Sequence, residues 1–417
     1  MDSSSAAFAE TPEQAMSTLG ERIREFPGVD VALTVPRTWS FIANALQSQV
    51  RTGDDAEIPR PLPTMGLVGC VFIDELTGAL LRSLRLRPSH EDVWRTSKEV
   101  EQALAWLSHV GALGDVERFH RSPPRLERPL IETKRWGWRN YEQMSFHSVY
   151  EPRRGMPARE RWQAFEANRI ARAYVLRHPG EPRPWLMNLH GFGMGYPRDL
   201  AGFRSWHFHQ ELGLNVIHPV FPLHGPRKQG RISGQGVISL EFIHNLYGLS
   251  QAIWDVRRIL SWVRAQGAPS IALHGVSLGG YTAGIVAGLE PDLDCVIAGI
   301  PPSDLPRSMV DHAPKSIRKL AKDEKLFGEN AHRLHALVSP LTLKPLTPRE
   351  RLFIYAGVAD RVATPQQALS LWRHWGEPRI EWFRGSHVSY VWSREVWQFV
   401  EGALVDAGVA EPPANAA

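Results

Sequence analysis

The sequence predicts an α/β protein: a mostly parallel sheet covered by helices on both faces, with a helical extension in front of it. Three observations carry this. From about Gln143 onward, short apolar runs alternate with segments of 3–4 apolar spacing, the order that yields a parallel sheet with helices packed on each side. The run Ser270–Gly284 passes from apolar Ile271–Leu273 through Gly275-Val276-Ser277-Leu278-Gly279 into a small-residue helical pattern. Before about residue 115 the pattern is helical, with no strand run to interrupt it.

The elements follow in order. Residues 1–12 are small and polar and read as disordered. Thr11-Pro12-Glu13 is a helix start, with proline in the first turn. Further helices are expected over Pro36–Val50, Gly66–Leu86 and His90–Leu113, the last capped by Ser89 with Asp92 in its first turn. Residues 114–140, rich in Arg and Pro, read as a surface linker. Ser145–Tyr150 and Arg169–Arg177 then look like a leading hairpin-like pair. The strands Trp185–Leu189 and Asn215–Pro222 flank a helix at Asp199–Leu212. Leu240–Gln266 is a long helix with Ile243, Leu246, Leu249, Ile253, Val256, Leu260 and Val263 on one face. The strand before Ser277 and the helix after it come next, then a strand at Asp294–Ile300. Residues 301–347 form a proline-rich insertion. Strands Arg351–Ala356 and Arg379–Phe383 and helices Pro365–Trp375 and Arg394–Ala407 complete the pattern, and the tail from Glu411 reads as loose. Two units result: an extension and linker over 1–140, and an α/β domain over 141–410 carrying the insertion 301–347.

Composition narrows the class. The chain has 417 residues, of which 43% are hydrophobic, enough for an ordinary core. Its net charge of +4 is diluted over 48 basic and 44 acidic residues, too weak a bias to imply nucleic acid as a partner. The two cysteines, Cys70 and Cys295, show no disulfide framework or metal spacing, and Cys295 sits in an apolar strand run as a buried thiol. The N-terminus lacks a basic region followed by an apolar core, so no signal peptide is expected. The apolar stretch Gly66–Leu81 carries Asp74 and Glu75 and is too short and too charged to span a bilayer. The expected location is cytoplasmic.

The chemistry concentrates around Ser277. A serine at the tip of a strand–turn–helix, with glycines two residues before and after, suits a nucleophile whose hydroxyl must stand exposed on a tight turn. Acyl transfer also needs two N–H groups aimed at the developing oxyanion. Leu278 supplies one. The loop His190-Gly191-Phe192-Gly193, after strand Trp185–Leu189, supplies the other, with Phe192 N–H the first candidate and Gly191 the runner-up. Asp360, just past the strand Arg351–Ala356, is placed to orient an imidazole; Asp304 is its rival. His387, just past the last strand, stands where a general base belongs.

With Gly275-Val276-Ser277-Leu278-Gly279, His190-Gly191-Phe192-Gly193, Asp360 and His387 in this order, the chain resembles the α/β-hydrolase superfamily and, within it, the serine esterases and lipases, over roughly residues 145–408. The resemblance implies an eight-stranded, mostly parallel sheet and a Ser277–His387–Asp360 hydrolase needing no cofactor, with a small-molecule ester as its partner. It makes 301–347 a cap insertion. A serine peptidase or amidase of prolyl-oligopeptidase type is the alternative enzyme, and a non-catalytic binding protein on the same fold the alternative outside catalysis.

Other residues are candidates for the substrate side. His190 borders the oxyanion loop. Trp206, close to the same loop, is a candidate for an acyl pocket, beside the plainer reading of core packing. Arg227, with Lys228 and Arg231 among the glycines of the loop from His224, has the charge to hold a carboxylate or phosphate, beside the plainer reading of a solvated loop. His190, His207, His209, His218 and His224 lack a metal-ligand spacing, so no metal is expected. Arg307, Lys315, Arg318, Lys319, Lys322 and Lys325 make the insertion basic, suited to covering the pocket, attracting anionic substrates or lying against a membrane surface, beside the plainer reading of a solvated basic face. The N-terminal helices are candidates for a second lid or an oligomer contact.

Overall fold

The computed structural model describes residues 31–48, 57–83 and 88–412. The expected disorder over 1–12, the helix start at Thr11-Pro12 and most of the C-terminal tail lie outside the described residues.

One sheet of nine strands organises the chain: β1 (Leu130–Trp136), β2 (Arg139–His147), β3 (Ile170–Leu176), β4 (Trp185–Leu189), β5 (Asn215–Val220), β6 (Ile271–Val276), β7 (Cys295–Gly299), β8 (Leu352–Gly357) and β9 (Arg379–Phe383). Their spatial order is β1-β2-β3-β5-β4-β6-β7-β8-β9. The pairs β1–β2, β2–β3 and β3–β5 are antiparallel; every pair from β5 to β9 is parallel. Strands β4, β6 and β7 are buried at every position, which is why they read as unbroken apolar runs rather than as alternating ones.

The sheet has one strand more than the eight expected. β1 lies inside the segment read as linker, so the sheet begins before residue 141. It is an outer edge strand with no fully buried residue and several charges, and so it carries no apolar signal. The leading pair is also shifted: β2 is Arg139–His147 rather than Ser145–Tyr150, paired with β1 on one side and β3 on the other. The helix expected over Asp199–Leu212 is broken. Arg204, at φ 51°, separates Asp199–Gly202 from Ser205–Gln210.

The ten helices of seven residues or more among the described residues are α1 (Thr34–Ser48), α2 (Met65–Ser83), α3 (His90–His109), α4 (Phe242–Ala265), α5 (Leu278–Leu289), α6 (Leu305–His312), α7 (Lys315–Asp323), α8 (Glu329–His335), α9 (Pro365–His374) and α10 (Arg394–Asp406). None is long and apolar enough to cross a membrane. On one face of the sheet α4 buries Leu246, Ile253, Val256 and Leu260, and α3 adds Val100, Leu104 and Leu107 to the same core. On the other face α10 buries Trp397, Val400 and Leu404 against Phe203, Phe208 and Ile297. The Ser89–Asp92 capping box that starts α3 is formed.

The extension therefore splits in two. α3 is part of the main core, whereas α1 and α2 form a small separate cluster of Phe41, Ala45, Leu67 and Val71 against Val358 and Ala359 at the end of β8. The segment 301–347 folds as α6, α7 and α8. It is tied to α3 by the Ser97 hydroxyl, which donates to the Glu324 carbonyl at 2.6 Å.

Candidate active site

Ser277 stands between β6 and α5 at φ 55° and ψ −117°, a conformation a side chain adopts only when its surroundings impose it. Two constraints hold it there. Its N–H donates to the Gly299 carbonyl on neighbouring β7 at 2.8 Å. The flanking backbone is packed so closely that a Cβ at Gly275 would stand 2.2 Å from the Gly279 oxygen, and one at Gly279 only 1.9 Å from the Leu189 oxygen. Close approach, not flexibility, requires the two glycines, and the outcome is a serine projecting from the carboxyl edge of the sheet.

The C-terminal ends of β8 and β9 bring the other two groups. His387 Nε2 lies 3.0 Å from Ser277 Oγ, and its Nδ1 lies 2.7 Å from Asp360 Oδ2. Asp360 Oδ1 accepts the backbone N–H groups of Val362 and Ala363, each at 2.8 Å, so the carboxylate cannot swing away. With Nδ1–H donated to the carboxylate, Nε2 offers its lone pair to the serine hydroxyl. Burial pulls the His387 pKa down, but the Asp360 charge and hydrogen bond, assisted by Asp74, more than offset it and leave the imidazole above its ordinary value. The rival Asp304 is elsewhere: it caps α6, accepting the Arg307 N–H at 2.9 Å.

The oxyanion candidates separate. Gly191 N–H is directed to the Met194 sulfur at 3.3 Å. Phe192 N–H makes no hydrogen bond among the described residues. Leu278 is the first residue of α5, so its N–H has no intrahelical acceptor. The loop is fixed by Asp199, whose carboxylate accepts the N–H groups of Gly195 at 2.5 Å and Tyr196 at 2.8 Å.

Ser277, Leu278, Phe192 and His387 open onto a cavity of about 2010 Å³. Its walls come from α2 and α3, from the loop 229–241, from α6 and the start of α7, and from Val388 and Val391 beyond the histidine. Ile238, Leu240, Leu305, Met309 and Ile317 make much of it apolar.

The three substrate-side expectations are corrected. His190 is buried, accepts the Phe221 N–H at Nε2 (3.0 Å) and uses Nδ1 on the Gly191 carbonyl (2.8 Å); it braces the loop from His190 to Gly193 from behind. Burial lowers its pKa to about 4, so it is neutral. Trp206 is packed in the core, stacked on Trp136 with ring centroids 5.9 Å apart and covered by the Arg139 guanidinium. Arg227 is wholly buried, paired with Asp255 at 2.9 Å and bonded to the carbonyls of Val220 and Asn168. The loop that carries it packs against the loop 190–195 and holds Arg227 away from the cavity. Ser233 donates to the Met194 carbonyl, and a Cβ at Gly225 would stand 1.9 Å from the Gly195 oxygen.

One residue of the site escaped the sequence reading. Asp74 of α2 is buried, and its carboxylate accepts the Ser386 hydroxyl (2.9 Å) and the N–H groups of His387 (2.7 Å) and Val388 (3.0 Å). The available signal was an acid inside the apolar stretch Gly66–Leu81; its partners lie more than 300 residues away in the chain. Among the described residues no group of three or more His, Cys, Asp or Glu side chains is arranged to hold a metal ion.

The sheet order and the strained serine between β6 and α5 define the class: this is an α/β-hydrolase fold. No protein-family model matches the chain. Over 360 residues, 86% of its length, it is 39% identical to the uncharacterized protein MT2702 of Mycobacterium tuberculosis strain CDC 1551 / Oshkosh, and equally to the uncharacterized protein Rv2627c of strain ATCC 25618 / H37Rv, covering 86% of each. The chain belongs to the family of these two mycobacterial proteins. Among solved structures, it is similar to an acetyl xylan esterase from Paenibacillus sp. R4 (14% identity, TM-score 0.45, 69% of this chain and 89% of that one). It is also similar to acetyl xylan esterase 1 from Thermoanaerobacterium sp. JW/SL YS485 (15% identity, TM-score 0.46, 78% and 95%) and to the acylaminoacyl peptidase of Pyrococcus horikoshii (13% identity, TM-score 0.42, 65% and 40%).

Proposed function

We propose that the protein is a serine hydrolase that cleaves a small-molecule carboxylic ester through an acyl-enzyme on Ser277. The observation that carries this reading is the unbroken chain Ser277 Oγ–His387 Nε2 and His387 Nδ1–Asp360 Oδ2, at 3.0 and 2.7 Å, on a strained turn at the mouth of a cavity.

In this mechanism His387 Nε2 takes the Ser277 proton as Oγ bonds to the carbonyl carbon. The oxyanion forms against the N–H groups of Phe192 and Leu278. The tetrahedral species collapses, the C–O bond to the alcohol breaks, and the imidazolium returns its proton to the leaving oxygen. Water then repeats the sequence: His387 accepts a water proton, hydroxide adds to the acyl carbon, and Ser277 leaves with the proton. Asp360 keeps the imidazole in the required tautomer and stabilises it when charged. The helices of 301–347 act as a cap over the acyl side, and their apolar residues suit a hydrophobic acyl group.

A p-nitrophenyl ester series of increasing acyl length, run on the full chain beside Ser277→Ala, tests this. Turnover with a p-nitrophenol burst equal to the enzyme concentration, absent from the variant, is expected. Equal turnover by the variant contradicts it, and cleavage of peptide anilides but not esters moves the reading to an amidase.

A further inference from the structure

We propose that Asp74 is a positioning residue of the active site, delivered by the N-terminal extension, and that its carboxylate holds the turn Ser386-His387-Val388 in register and stabilises His387 when it becomes an imidazolium. This rests on the serine-hydrolase reading above.

The geometry is specific. All three donors to Asp74 belong to the histidine turn: Oδ1 takes the Ser386 hydroxyl and Val388 N–H, and Oδ2 takes His387 N–H. Among the described residues no arginine or lysine forms an ion pair with it. Glu75, the next residue, takes the arginines of this region instead, Arg361 at 3.2 Å and Arg37 at 3.9 Å. A buried carboxylate is a costly way to dock a helix, and apolar contacts such as Val71 on Val358 and Ala359 already do that work. The cost is understandable where a negative charge acts on a neighbour that gains positive charge during reaction.

His387 faces Asp360 from the end of β8, Asp74 from α2 and Ser277 from the elbow; Arg361 and Glu75 lie just beyond, paired to each other. Burial works against the His387 cation, while Asp360 and then Asp74 favour it. The Asp74 pKa is itself raised, by burial first and by Asp360 second, against the lowering effects of His387 and the two backbone donors. The extension is thereby a working part of the site: α2 holds the base, and the α1–α2 cluster holds the end of β8 that leads to the acid.

The test uses the full chain with Asp74→Asn and Ser386→Ala. Ester kinetics are measured across pH, and the His387 ring is titrated by 15N NMR, its signal assigned with His387→Gln. In Asp74→Asn, kcat is expected to fall by about 10²-fold, the penalty for a catalytic group slightly out of place, with KM little changed. The acid limb of kcat/KM and the His387 titration should both move to lower pH, because the removed charge favoured the protonated ring. A folded Asp74→Asn protein with wild-type kcat and an unmoved His387 titration overturns the proposal. If Asp74→Asn does not fold, Ser386→Ala decides: a lower kcat at unchanged KM supports it, and an unchanged kcat overturns it. Absence of esterase activity in the wild type defeats the ester-hydrolase reading instead, and the NMR titration then decides the role of Asp74 alone.

Discussion

Asp360 Oδ2 and His387 Nδ1 meet at 2.7 Å because their loops leave the same edge of the sheet from adjacent parallel strands, β8 and β9. Ligand sites of open parallel sheets lie at this carboxyl edge, and here it gathers Asp360, His387 and Ser277 from three strand ends. Asp360→Asn keeps the shape but turns the ring to the wrong tautomer. A fall in kcat of about 10⁴-fold with the fold intact is expected, checked by steady-state kinetics and circular dichroism.

The pH profile follows from the environment of the imidazole. The base must be neutral to accept the serine proton. Burial disfavours the cation, but Asp360 and Asp74 outweigh it, so the His387 pKa lies above that of an ordinary imidazole. Activity should be full above that raised pKa and lost as the pH falls through it. A kcat/KM profile whose acid limb lies above the range of an ordinary histidine is expected.

Gly279→Ala tests the elbow. The new Cβ would stand 1.9 Å from the Leu189 oxygen, a backbone atom of a fully buried strand that cannot step aside. Loss of soluble folded protein, or a large drop in Tm for whatever folds, is the expected outcome, measured by thermal unfolding.

Arg227 and Asp255 set a stability prediction apart from chemistry. Asp255→Ala strands a buried guanidinium and should cost about 3–5 kcal/mol in urea unfolding. Arg227→Met removes the cation and should leave the preference between neutral and acidic esters unchanged, because Arg227 points into the protein and does not line the cavity.

Much of the candidate site was legible because its signals are local. Gly275, Ser277 and Gly279 spell a turn that neighbouring backbone requires, and Asp360 and His387 each follow an apolar strand. The parallel core was legible for the same reason, since β4, β6 and β7 are continuous apolar runs. What stayed hidden depends on distant partners. β1 is half exposed and gains its role only from pairing with β2. Trp206, His190 and Arg227 lie near the loops that matter in sequence but spend their polar or aromatic surface on Trp136, Phe221 and Asp255 in space. Asp74 reads as a charge that keeps α2 out of a membrane; its contacts with Ser386, His387 and Val388 appear only when the turn at His387 folds onto it.

Fluorophosphonate labelling followed by peptide mass spectrometry tests the nucleophile most directly. A single adduct on the peptide containing Ser277 is expected, lost in Ser277→Ala and formed far more slowly in His387→Gln. Folded wild-type protein that takes no label, or a label that persists in Ser277→Ala, contradicts the assignment of Ser277 as the nucleophile.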